Sequence, residues 1–175
     1  MNKINNFVQD LDTGIKFEDY LFSWLRTNLP DLALHDCRNE KKYAGGGPKI
    51  WINNKAYATP DFNLRLLDSK KDIWIDAKYK KQTFYLKEYE SRCVSIDTRS
   101  YNDYIEFINL YLNRDDDFWV IFGIEETKKL YLLDIKKYIE QEEPIMFYFN
   151  NSYNRYNKKT PCFKLSLLTI IGDYS

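Results

Sequence analysis

Between Ala58 and Gln82 the side chains alternate between apolar and polar on both sides of a short polar break, and this stretch restricts the chain more than any other. In the first arm Phe62, Leu64 and Leu66 share one face, while Asp61, Asn63 and Arg65 share the other. Beyond the break at 68–72, Ile73, Ile75, Ala77 and Tyr79 oppose Trp74, Asp76, Lys78 and Lys80. A period of two marks a strand with one face buried. Two such runs across a short polar break predict a hairpin. Pro60 suits the first residue of a strand, where no ladder donor is needed. With both apolar faces in the core, Asp61, Asp76 and Lys78 project from the opposite face onto one patch. The turn does not fix whether the two aspartates stand directly opposite each other. Two carboxylates and a backbone carbonyl suit a hard cation such as Mg²⁺. Such an ion polarises a phosphoryl oxygen and lowers the pKa of bound water.

Length and composition set the outer bounds. The 175 residues fit one domain with a sizeable core, and 44% apolar with 17% aromatic content excludes general disorder. Lysine plus arginine and aspartate plus glutamate balance at 26 each, so any nucleic-acid site must be a local patch. Cys37, Cys93 and Cys162 are odd in number and widely spaced, as expected of reduced thiols in a cytosolic protein. The N-terminal stretch has no apolar signal region, and no run is long enough to span a membrane, so no membrane association is expected.

In chain order, Thr13 predicts the cap of a helix running to about Asn28, ahead of Pro30. Phe17, Leu21, Trp24, Leu25 and Leu29 form its apolar stripe. Glu18 falls inside that stripe, within about 20° of Leu25 and Leu29 on the helical wheel. A carboxylate there needs a partner or a shifted pKa, and buried acidity marks functional sites. The plainer alternative is a glutamate near the helix start, favoured by the dipole and reaching solvent. Leu32 to Cys37 reads as a short strand. The next segment, up to Lys49, holds three glycines, a proline and the basic residues Arg38, Lys41, Lys42 and Lys49, so it predicts a loop. No Gly-Lys-Ser/Thr follows, so it is not a phosphate-binding loop of that kind. That loop reads equally as a plain surface loop and as a flap over substrate. The lone His35 reads as structural or surface-exposed.

Residues 83–97 fit a helical turn or a long loop. Apolar positions from Tyr101 to Leu112 predict a second helix to about Asn113, with its aromatic stripe in the core. The acidic run Asp115 to Asp117 predicts a solvated turn. Phe118 to Ile124 is continuously apolar, as in a central strand covered on both faces. Lys129 to Leu133 predicts another strand, and Asp134 the cap of a short helix ending before Pro144. Ile145 to Phe149 and Phe163 to Ile171 read as strands around a polar loop.

The order helix, three strands, helix, strand, with Pro60-Asp61 and Asp76-Ala77-Lys78 on the hairpin, resembles the PD-(D/E)xK (restriction endonuclease-like) nuclease superfamily. Glu18 stands where that superfamily frequently has a first-helix glutamate. The resemblance covers roughly residues 12–135. It implies an α/β fold of the α+β mixed-sheet kind, a central mixed sheet flanked by helices, in one nuclease-like domain over 1–175 with a C-terminal β extension at about 144–171. It also implies a Mg²⁺-dependent endonuclease, with Mn²⁺ as substitute, hydrolysing phosphodiester bonds most often in DNA. Asp61, Asp76 and the Ala77 carbonyl would hold the metal. Lys78 would orient or help deprotonate the attacking water, or stabilise the pentavalent charge. Glu18 would hold a metal-bound water or a second metal. Lys41, Lys42, Lys49, Lys80, Lys81 and Arg99 are the candidate contacts to nucleic acid. Many members carry a second-helix glutamine, where this chain has Asn102 or Asp103. One such site cuts one strand, so double-strand cleavage would call for a homodimer or two encounters. The alternatives are a non-cleaving binding module of the same fold, an inhibitor or assembly subunit, and an unrelated α+β interaction protein with a solvated charged face.

Overall fold

The computed structural model describes residues 2–38, 49–66, 70–141, 145–148 and 159–174. The hairpin predicted from alternation is present. β4 (Phe62–Leu66) pairs antiparallel with β5 (Asp72–Lys80), with Phe62 opposite Ile75 and Leu64 opposite Ile73. Phe62, Leu64 and Ile75 are completely buried. β5 is the longer strand and runs on past the end of β4. From Ile73 to Lys80 it also pairs in parallel with β8 (Asp117–Ile124). Parallel neighbours need a long crossover, and residues 81–116 provide it. The full order of this six-stranded mixed sheet is β1-β4-β5-β8-β9-β12, where β1 is Leu32–Asp36, β9 Lys129–Asp134 and β12 Thr169–Asp173.

Helices cover both faces of the sheet. α1 (Asn2–Asn28) lays Phe17, Leu21 and Leu25 on Phe62, Leu64, Ile73, Ile75 and Ala77. α2 (Thr98–Tyr111) and α3 (Ile135–Gln141) close the other face, where Tyr104, Phe107 and Ile135 meet Phe118, Val120, Phe122 and Leu133. β8 therefore reads as continuously apolar because each of its faces is roofed. Gly123 is required where α1 comes closest: a Cβ there would lie 2.1 Å from the Phe17 ring. The helix, three strands, helix, strand order is present as α1, β1, β4, β5, α2 and β8.

The sequence reading needs five corrections. α1 begins at Asn2 rather than at Thr13, since no proline or glycine interrupts residues 2–13 and a threonine inside a helix need not cap it. Residues 83–97 hold the helical turn, a 3₁₀ turn at Lys87–Tyr89, but it sits between two strands rather than in a loop. These are β6 (Phe84–Leu86) and β7 (Ser91–Ser95) of a second sheet ordered β10-β11-β7-β6, with β10 at Ile145–Tyr148 and β11 at Lys159–Lys164. A further hairpin, β2 (Lys49–Ile52) with β3 (Lys55–Ala58), begins at the position given to the end of the glycine loop. The strand expected over Phe163–Ile171 is broken by a 3₁₀ turn at Leu165–Leu167, so β11 and β12 lie in different sheets. Finally, Asp116 is buried rather than solvated, because its carboxylate accepts from the backbone N–H groups of Asp72 and Asn113, each at 2.9 Å.

β12 closes the sheet edge beneath α1. Gly172 passes under Trp24, where a Cβ would lie 2.9 Å from the indole nitrogen. The Tyr20 hydroxyl donates to the Asp173 carbonyl at 2.7 Å. Tyr174 packs edge-on against Phe17, Tyr20 and Tyr79, with ring centroids 5.1–6.2 Å apart. All three cysteines are buried and none forms a disulfide.

Candidate active site

The register of the hairpin places the two aspartates. Phe62 and Ile75 are its last paired residues, and one step beyond them come Asp61 and Asp76. β4 has ended there, so β5 has lost its ladder partner on that side. The Asp61 carboxylate takes over, accepting the Ala77 N–H on Oδ2 at 2.8 Å. Asp61 is only 3% exposed, and a buried carboxylate is tolerable when such bonds replace its water.

The alternating face of β5 holds the rest. Asp76 is 9% exposed and its Oδ2 receives two donors. One is the Lys78 ammonium at 2.6 Å, and the other is the Tyr104 hydroxyl of α2 at 2.7 Å. The Lys78 ammonium also lies 5.9 Å from the centre of the Tyr104 ring. Burial works against the lysine charge, but Asp76, Tyr104 and Asp61 together outweigh it and hold its pKa well above the ordinary lysine range. The Tyr104 phenol is likewise pushed well up, first by burial and then by the Asp76 charge. In this arrangement the ammonium and the phenol are both protonated donors to one carboxylate.

This face is more enclosed than half-buried strands imply. The sequence reading left it open to solvent, but α2 lies across it: Trp74 meets Phe107 and Tyr111 edge-on, and Tyr104 roofs Asp76. Asp97 caps α2, accepting from the Ser100 N–H at 2.9 Å and its hydroxyl at 2.6 Å. Burial raises the Asp97 pKa, yet the Ser100 bonds and the charges of Lys78 and Lys80 bring it below the usual value. Lys80 shows the reverse: burial and then the neighbouring Lys78 charge lower its pKa.

Asp61, Asp76 and Lys78 thus come together, as the alternation predicts. Glu18 is half-buried on α1, next to Phe17, which packs against the buried side chains of β4 and β5. Among the described residues no group of three or more His, Cys, Asp and Glu side chains is placed to hold a metal ion. The hard-oxygen donors that fit Mg²⁺ are Asp61, Asp76 and the Ala77 carbonyl, a set of the size Mg²⁺ uses when waters and phosphate complete its shell. Of the proposed nucleic-acid contacts, Lys49, Lys81 and Arg99 are exposed, Lys80 is half-buried, and Lys41 and Lys42 lie outside the described residues. Tyr104 and Asp97 escaped the sequence reading. Tyr104 sits in a helical aromatic stripe that looks like core, and Asp97 lies in a stretch without clear periodicity.

No family model matches the chain, and a search of curated proteins finds no match. Among the described residues no helix is long and apolar enough to cross a membrane. Among solved structures the chain is similar to Hjc, a Holliday junction resolvase from the archaeal hyperthermophile Archaeoglobus fulgidus, at 12% identity over 88% of this chain and 90% of that chain, with a TM-score of 0.47.

Proposed function

We propose that this chain is a divalent-metal-dependent endonuclease that hydrolyses phosphodiester bonds in DNA. The observation that carries the reading is the convergence of Asp61, Asp76 and Lys78 where β5 runs past β4. Burying two carboxylates and an ammonium costs several kcal/mol per ion before their mutual attraction is counted, about the range for desolvated charges. An apolar set would fill the same space without that cost, so the trio fits chemistry better than architecture.

Asp61, Asp76 and the Ala77 carbonyl would hold the metal, Mg²⁺ or Mn²⁺. The bound ion supplies Lewis acidity toward the phosphoryl oxygen and a lowered pKa for its water. Lys78 brings a fixed positive charge beside the phosphorus, where negative charge grows in the transition state. Tyr104 holds the Asp76 carboxylate in one orientation. Lys49, Lys80, Lys81 and Arg99, with Lys41 and Lys42, contact the phosphate backbone. A single site cuts one strand, and a homodimer would supply the second cut.

The test is cleavage of plasmid, single-stranded and branched DNA, and of RNA, in Mg²⁺ and in Mn²⁺. Asp61→Ala and Asp76→Ala should each abolish cutting. Cutting that persists undiminished in EDTA overturns the reading. A second reading, a nuclease-fold binding module that does not cut, is favoured by the two donors already on Asp76 Oδ2. DNA binding without cleavage in either metal selects it.

A further inference from the structure

The β2–β3 ribbon has two unlike faces. Its turn, Asn53-Asn54, has both residues at positive φ, 49° and 62°. Such a turn matches the twist of a tight two-residue hairpin. Cross-strand pairing puts Ile50 beside Tyr57 and Ile52 beside Lys55, so these four share a face. That face is anchored. Ile50 packs on the core cluster containing Tyr104, Tyr57 is 5% exposed, and Lys55 forms an ion pair with Glu106 of α2.

The outer face is the reverse. Pairing puts Lys49 beside Ala58 and Trp51 beside Ala56. Trp51 is 71% exposed, the most exposed large apolar side chain among the described residues. A methyl group opposite the indole leaves its ring uncovered. Lys49 stands two residues along on the same face and is exposed. The ten residues of the ribbon carry two lysines and no acidic residue. The ribbon leads directly to the site: five residues of chain, no more than about 18 Å when extended, separate Ala56 from Asp61. That is about five stacked base steps at 3.4 Å.

An indole fixed on a strand, beside an ammonium and next to a phosphodiester site, suits a nucleobase whose face is open. We propose that the outer face of the β2–β3 ribbon is a stacking platform for an unpaired base of the DNA, with Trp51 taking the base and Lys49 an adjoining phosphate. The proposal rests on the nuclease reading and narrows it to substrates that present unpaired bases near the scissile bond. A duplex with no open end offers the indole only its edges.

The experiment uses the full chain carrying Asp76→Ala, with three labelled probes: a 12-nucleotide single strand, a duplex closed at both ends by non-nucleotide linkers, and the duplex with a single-stranded overhang. Affinities are read by fluorescence anisotropy in Ca²⁺. Adding Trp51→Ala should weaken the strand and overhang probes roughly 5- to 150-fold, the range for losing one stacked base. Closed-duplex affinity should hold, and Trp51→Phe should recover most of the loss. Equal affinities with and without Trp51, or equal losses on all three probes, overturn the platform while leaving the nuclease reading standing. A change of oligomeric state with Trp51→Ala in gel filtration also overturns it, since the face then belongs to a second copy of the chain. If the parent protein binds none of the probes even at low salt, the nuclease reading fails and the platform with it.

Discussion

The Tyr104 hydroxyl ties the candidate site to the helix above it. Its bond to Asp76, a charged acceptor, is worth about 1.5–3 kcal/mol when buried. Tyr104→Phe keeps the ring and removes only that bond. On the nuclease reading it should weaken Mn²⁺ binding roughly 10- to 100-fold, the usual cost of losing a group that orients a ligand. Titration calorimetry measures this without cleavage, and an unchanged Mn²⁺ affinity would limit Tyr104 to a packing role. Glu18 is tested the same way. If it serves the site on the nuclease reading, Glu18→Gln should lower the cleavage rate strongly and the melting temperature little. Full cleavage together with a raised melting temperature would leave Glu18 as a residue tolerated in the core. The hairpin trio was legible in the sequence because a period of two sorts side chains between faces with no knowledge of the rest of the fold. Tyr104 was not, because a helical period shows which side faces inward but not which hydroxyl finds a carboxylate there.

At the scale of elements, the second sheet shares the core of the first through Val94 and Phe163, and one carboxylate bridges the two as well. Glu126, in the β8–β9 turn, accepts the Thr83 N–H at 2.9 Å and its hydroxyl at 2.7 Å, and pairs with Arg92 of β7. The Thr83 backbone bond is the largest of the causes that lower its pKa to about 2. A folded pKa below the unfolded one gives stability that is complete above the unfolded value and drains away as pH falls toward the folded one. The window is therefore from 4.5 down to about 2. Glu126→Gln should melt lower than the parent at pH 7, and the two melting curves should converge as pH approaches 2. Parallel curves over that range would show that the Glu126 charge does not couple the sheets. This junction explains why elements after Lys80 were hard to read. β6 and β7 are short strands paired with each other, and the second partner of β7, β11, lies some 70 residues away, a pairing of which local periodicity carries no trace. β8, roofed on both faces, was plain from its unbroken apolar run. The split of the last strand was hidden because two short apolar strands in different sheets read as one when written end to end.

Across the whole molecule, charge cancels, so on the nuclease reading attraction to DNA would rest on a few cations. Six candidates at about 0.9 each cap the slope of log affinity against log salt at roughly five. Anisotropy titrations with Asp76→Ala protein between 50 and 200 mM salt measure it, and a steeper slope would mean that the DNA covers surface well beyond Lys41, Lys42, Lys49, Lys80, Lys81 and Arg99. The overall layout, a mixed sheet between helices, was legible because each long element carries its own period. The closure of that layout was not, since it depends on where the chain returns. The aromatic seat in which Tyr174 meets Phe17, Tyr20 and Tyr79 joins α1 to the chain just past β12. During synthesis α1 leaves the ribosome some 150 residues ahead of the side chain that completes its seat. Until translation has delivered Tyr174, the helix has Phe62, Leu64 and Ile75 to hold it but no lid over Phe17. Nascent chains arrested before Thr169 should therefore be cut within α1 by a protease that spares the released protein, so the codons from Thr169 to Tyr174 set when α1 becomes safe.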